Sequence, residues 1–158
     1  MIRTIRLAVA FGLLAALVVG TGTVAAQSGG RHKVLDKELI GLATPRTVIA
    51  GVTGAGHAWS IEEGNAKLFS DGRVLVNVEG LVLFPEGTQP AANVRIAVSC
   101  NGGATAADIV RSDAAHPVPL SQPEGDMHFN QRLAIPSPCL DPVIFVTSVG
   151  GAWFARTE

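Results

Sequence analysis

A chain of 158 residues with a formal charge of −1, two cysteines, two tryptophans and no tyrosine has the size of one domain plus an appendage, which excludes a two-domain organisation. The near-balanced charge gives no long-range pull toward nucleic acid or anionic lipid, and the missing tyrosines remove the usual material of an aromatic recognition platform. Neither class of partner is expected.

The chain opens with the three parts of an export signal. Arg3 and Arg6 supply the positive end, Leu7 to Val19 an apolar run broken only by Gly12, and Val24-Ala25-Ala26 the small-residue cleavage site. The run is shorter than the ~20 apolar residues a spanning helix needs. Cleavage after Ala26 is predicted, so residues 1–26 are read as a signal peptide and the mature, secreted chain as Gln27–Glu158. It has 132 residues (158 − 26), with ten Lys or Arg against thirteen Asp or Glu, a formal charge of −3. Gln27 rather than a cysteine follows the site, so no lipid anchor is indicated and no membrane attachment is expected after cleavage. In an oxidising compartment an even pair of thiols normally joins, which predicts a Cys100–Cys139 disulfide. Closing that loop stabilises a fold by about 4 kcal/mol in the chain-entropy estimate.

Residues 27–45 are polar, with Gly29-Gly30 and a charged run from Arg31 to Glu38, and read as a flexible leader. From Arg46 to Glu158 short apolar runs alternate with Gly, Pro, Asn and Asp at the spacing of an all-β sandwich, and helical periodicity is nowhere sustained. Asn65 to Glu79 reads as a hairpin whose two-residue turn is Asp71-Gly72, with Ala66, Leu68, Val74, Val76 and Val78 on the dry face. Gly80 then suits a bulge ahead of Leu81 to Phe84. Val94 to Val98 is the next strand, and a weaker one covers Thr105 to Val110. His116 to Pro123, with three prolines, can pair only at an edge or lie as a loop. Met127 to Ile135 alternates, with Gln131 an untidy member of its apolar face; Val143 to Val149 and Ala152 to Ala155 close the chain. About eight antiparallel strands in a two-sheet, Ig-like or related sandwich are predicted.

Chemistry-bearing patterns are sparse. Gly51-Val52-Thr53-Gly54-Ala55-Gly56 lacks the Lys-Ser or Lys-Thr that completes a phosphate loop and reads as a glycine-rich connection. His57 beside Trp59 could border a small ligand pocket, although such a tryptophan more often plugs a core with its N–H on a backbone carbonyl. His32, His57, His116 and His128 show none of the close spacings of a zinc site. Glu62-Glu63 would point to opposite faces, and Glu124-Gly125-Asp126 offers two carboxylates where calcium takes about six ligands or more. No serine stands in a Gly-x-Ser-x-Gly elbow. Catalytic residues, metals and cofactors are therefore expected to be none.

Gly64 to Leu81, and Pro136 to Val146 with Gly151 to Phe154, resemble a group of uncharacterised exported bacterial proteins that carry a signal peptide and one β domain. The resemblance covers most of the chain after Arg46 and implies a β-sandwich without implying an activity. The first segment is also similar to the opening hairpin of chordin-type domains, a β-sandwich family. Gly87-Thr88-Gln89-Pro90-Ala91-Ala92-Asn93-Val94 stands where that family has a histidine-containing motif, so the likeness extends to the hairpin alone.

The sequence thus points to an exported, non-enzymatic binding or structural module that meets a cell-surface protein or polymer, with an exposed apolar patch expected near His57, Trp59 or Trp153. The alternative is a small secreted hydrolase or metal-dependent ligand binder using His57, His116, His128 and Asp126, which requires the fold to bring them within hydrogen-bond reach.

Overall fold

The structure, a computed structural model, describes residues 31–158; the export signal and Gln27–Gly30 lie outside the described residues. Thirteen strands follow in chain order among the described residues. The first seven are β1 (Lys33–Gly41), β2 (Val48–Ile49), β3 (Val52–Thr53), β4 (Trp59–Ser60), β5 (Glu63–Phe69), β6 (Arg73–Glu79) and β7 (Val82–Leu83). The rest are β8 (Asn93–Ser99), β9 (Ile109–Arg111), β10 (Val118–Pro119), β11 (Met127–Arg132), β12 (Val143–Ser148) and β13 (Trp153–Thr157). Single 3₁₀ turns occupy Asn101–Gly103 and Ala106–Asp108, the second standing where the weak Thr105–Val110 strand was expected to begin.

One antiparallel sheet carries the fold, in the order β10-β8-β12-β13-β1-β5-β6-β11, with β9 also on β8. Laid flat, eight strands would place the outer two roughly 34 Å apart. Yet β10 and β11 are consecutive in the chain, and the turn between them is tied by Ser121 N–H on the Asp126 carbonyl (2.9 Å) and Gly125 N–H on that of Ser121 (3.0 Å). The sheet must therefore curl until its ends meet. Alternation along the strands then decides what lies inside: Ala66, Leu68, Val74, Val76, Val78, Met127 and Phe129 from one half face Val94, Ile96, Val98, Ile144 and Val146 from the other, all buried. Gln131, in phase with the buried Phe129 and Leu133, is exposed and forms the polar break in that row.

The predicted flexible leader needs correction. Its residues Lys33–Gly41 are the nine-residue strand β1 at the centre of the path. Lys33 to Glu38 pair with β5, whereas Leu39 to Gly41 pair with β13. The strand hands the sheet from one half to the other, and its few apolar residues suffice because backbone hydrogen bonds, not side-chain burial, hold the charged stretch in place.

Two local expectations also change. The β5–β6 connection spans three residues, Ser70-Asp71-Gly72, since Leu68 opposes Val74; Gly72, at φ 79°, supplies the left-handed residue that a three-residue hairpin loop requires. Gly80, at φ 69°, is where the chain leaves the sheet rather than a bulge within it, so that β7 pairs with β4 instead.

A second layer covers the outside of β8, β12 and β13. Ser99 Oγ donates to the Ala50 carbonyl (2.6 Å), Trp153 Nε1 to that of Thr47 (3.1 Å), and Ala55 N–H to that of Trp153 (3.0 Å). This is why Ala97 and Phe145, on the opposite face from Ile96 and Val146, are buried as well. The glycine-rich stretch serves this contact: a Cβ on Gly103 would stand 1.9 Å from the Ala50 carbonyl oxygen, and one on Gly51 2.5 Å from that of Gly103.

The disulfide joins Cys100 to Cys139 with their Cα atoms 4.9 Å apart. Asn101 holds the two segments in register around it. Its Nδ2 donates to Asp108 (2.9 Å), its Oδ1 accepts from Leu140 N–H (3.1 Å), and its own N–H reaches the Leu140 carbonyl (2.8 Å).

Candidate functional site

Pairing of β4 with β7 sets Trp59 opposite Leu83, and Phe84 N–H continues the ladder onto the Ala58 carbonyl (3.0 Å). The chain then turns back at once, Gly87 N–H closing on the Leu83 carbonyl (2.8 Å). That turn leaves Phe84 61% exposed, unusual for a large aromatic in a chain with so few of them. Beside it runs a groove of about 470 Å³ lined by Leu39, Ile40, Leu42, Trp59, Ile61 and Phe84. Trp59 forms part of its lining and packs on Phe154, with ring centroids 4.2 Å apart and planes tilted by 34°.

One margin of the groove is acidic. Leu39 and Glu62 are shared with a polar cleft of about 660 Å³ lined by Asp36, Glu38, Glu62 and Glu63 with Lys37 and Lys67, while Lys33 pairs with Asp36, so four carboxylates meet three lysines. Asp36 is held below the ordinary aspartate range, first by its hydrogen bond with Lys33, then by the charges of Lys33 and Lys67, with desolvation working against them. Asp36 is thereby ionised at neutral pH and matched by its lysine partners, which leaves the excess negative charge of the margin to the glutamates. An apolar trough with an anionic lip can take an apolar segment flanked by cations.

The three residues singled out from sequence have separate fates. Trp59 lies under the groove. Trp153 is 3% exposed and belongs to the core, 6.0 Å from the Phe145 ring, which removes it as a surface candidate. His57 is exposed on the turn entering β4 and does not line the groove. The bond expected of the Trp59 N–H is found at the other tryptophan. It is Trp153 whose N–H meets a backbone carbonyl, while Trp59 Nε1 is buried without a partner among the described residues.

The residues of the alternative reading are occupied in different ways. His116 Nδ1 lies 2.7 Å from Asp113, His128 meets Asn77 across β6 and β11, and Asp126 accepts Gly80 N–H (3.0 Å). Asp126 and His128 do border one shallow cleft of about 400 Å³. Among the described residues, no three of His, Cys, Asp and Glu gather at metal-holding range, and no helix is long and apolar enough to cross a membrane.

Phe84, Leu39, Ile40 and Leu42 were missed from sequence. The last three lay inside what read as a leader, where the spacing of Leu39, Ile40 and Leu42 was the available signal. Phe84 was read as strand interior, and only the β4–β7 pairing turns it outward. No family profile, no curated protein and no solved structure matches the chain.

Proposed function

We propose that this is an exported, non-enzymatic binding module that works at the cell surface or in the surrounding medium, and that the groove beside Phe84 is its contact surface. The observation that carries the reading is the exposed Phe84 ring on an apolar groove with an acidic lip. The partner is a cell-surface protein presenting a short apolar segment bracketed by lysine or arginine.

We infer that the fold is a two-sheet sandwich. One sheet comprises β5, β6, β11 and the first part of β1; the other comprises β8, β9, β10, β12, β13 and the last part of β1. The shift of β1 pairing from β5 to β13 supports this, since strands that change sheets make the corners of such packings.

A fluorescein-labelled peptide of four leucines flanked by lysine pairs tests the proposal. It is expected to bind the protein, and Phe84→Ser to weaken binding about tenfold, or ~1.4 kcal/mol. Equal binding of a glutamate-flanked peptide, or an unchanged affinity in the variant, overturns it.

A further inference from the structure

The opposite end of β1 from the groove, roughly 26 Å along the strand, has a different character. There the three-residue hairpin loop places Asp71 at its tip and Arg73 at the start of β6, while β11 ends on Arg132. The register sets Arg73 directly across from Arg132. Like charges directly opposed on neighbouring strands destabilise the pair. A third cation, Arg31, joins them from the residue before last ahead of β1, with its guanidinium carbon 5.8 Å from the centre of the Phe69 ring.

A single carboxylate serves this group. Asp71 Oδ2 accepts from Arg31 Nε (3.0 Å) and from Arg132 Nη2 (2.7 Å). Desolvation raises the Asp71 carboxyl, but the Arg73 backbone N–H and the guanidiniums of Arg31 and Arg132 outweigh it and hold it ionised, below the ordinary range. Arg73 is bonded through Nε to the neutral Asn130 side chain (2.7 Å) and makes no ion pair among the described residues. Three cations thus stand against one anion, a local excess of two positive charges. Residues 31–158 carry ten Lys or Arg and thirteen Asp or Glu, so this excess runs against the charge of the whole.

Holding the loop does not require so much charge. Gly72 N–H already closes on the Phe69 carbonyl (2.9 Å) and Arg73 N–H on Asp71 Oδ1 (3.1 Å). The three arginines instead line an open recess of about 290 Å³ together with Asn130 and Gln131, and most of their N–H donors have no partner among the described residues. A carboxylate would be satisfied by one guanidinium fork. Several forks and an excess of two charges match a doubly charged, three-oxygen group.

We propose that Arg31, Arg73 and Arg132 form a binding site for a doubly charged phosphate group, either free or as a monoester end group. The site is independent of the Phe84 groove, and the two can fail separately.

The test is an NMR titration of the ¹⁵N-labelled protein with sodium phosphate at constant ionic strength, following the arginine Nε–Hε signals. Saturable shifts confined to Arg31, Arg73 and Arg132 are expected, with acetate producing none. Arg73→Gln and Arg132→Gln should each weaken phosphate binding at least tenfold at unchanged melting temperature, and Arg73→Lys should restore only part of it. Tighter binding of glucose 1-phosphate than of inorganic phosphate assigns the site to an ester end group; equal binding assigns it to the free anion. Linear, non-saturating shifts, an equal response to acetate, or shifts spread over Arg46, Arg95, Arg111 and Arg156 overturn the proposal.

Discussion

Two tryptophans of similar burial differ in what their N–H groups meet, and this gives the residue scale its sharpest contrast. Trp153 fills the space between Phe145 and the covering layer and ties Thr47 through Nε1, whereas Trp59 packs on Phe154 with its N–H unanswered. Replacing Trp153 by Phe removes volume from the core and one of the two hydrogen bonds on the Thr47 carbonyl, which keeps the Gly54 N–H (2.8 Å), for an expected loss of about 2–3 kcal/mol. Trp59→Phe also removes volume, but it deletes an unsatisfied donor at the same time, so a loss of about 1 kcal/mol or less is expected. Urea unfolding of the two variants measures the difference, and equal midpoints would contradict it. From sequence Trp59 read as a plug or pocket residue and Trp153 as a candidate for an exposed patch, because a side chain's hydrogen-bond partner depends on which loop folds over it. Here that loop is Thr47 to Ala55, and the partner Thr47 lies 106 residues before Trp153 in the chain.

At the scale of elements, β1 departs furthest from expectation. Four of its nine residues are charged, and most of Lys33–Glu38 is exposed, so neither strand alternation nor a helical stripe marks it. It is a strand because β5 and β13 each offer it a ladder, a property of its neighbours rather than of itself. Its outer edge along Lys33–Lys37 is charged and bulged between Lys33 and Leu35, the features by which edges resist pairing with other chains. Deleting residues 27–41 while keeping the export signal should therefore abolish cooperative unfolding, as the two halves of the sheet lose their shared strand. Near-ultraviolet circular dichroism during a thermal ramp tests this. A truncated protein that melts like the full one would show the strand to be dispensable. The hairpin of β5 and β6 is the reverse case: its alternating valines and Asp71-Gly72 are visible in sequence, and only the loop length differed by one residue.

Seen whole, the molecule is a curled sheet with unlike ends, an acidic apolar groove at one and an arginine recess at the other. The Cys100–Cys139 bond and the Asn101 hydrogen bonds secure the segment that crosses between β8 and β12. Such a bond persists in an oxidising compartment and is rare in a reducing one. Intact-mass measurement on protein recovered from outside the cytoplasm is expected to give a chain beginning at Gln27 that gains no mass on alkylation until it is reduced. A chain beginning at Met1, or one alkylated without reduction, would contradict export with oxidation.

The sequence alone determined the all-β character, the pairing of its two cysteines, most of the strand positions after Arg46 and the structural use of the Gly51–Gly56 stretch. These follow from near-neighbour patterns: alternation, turn residues and the count of thiols. Only the tertiary structure decided that β1 is a shared strand, that Phe84 rather than Trp153 faces solvent, and that Arg31, Arg73 and Arg132 converge. Each of these depends on segments distant in the chain arriving at one place, and strand register, which no local pattern encodes, sets what they meet there.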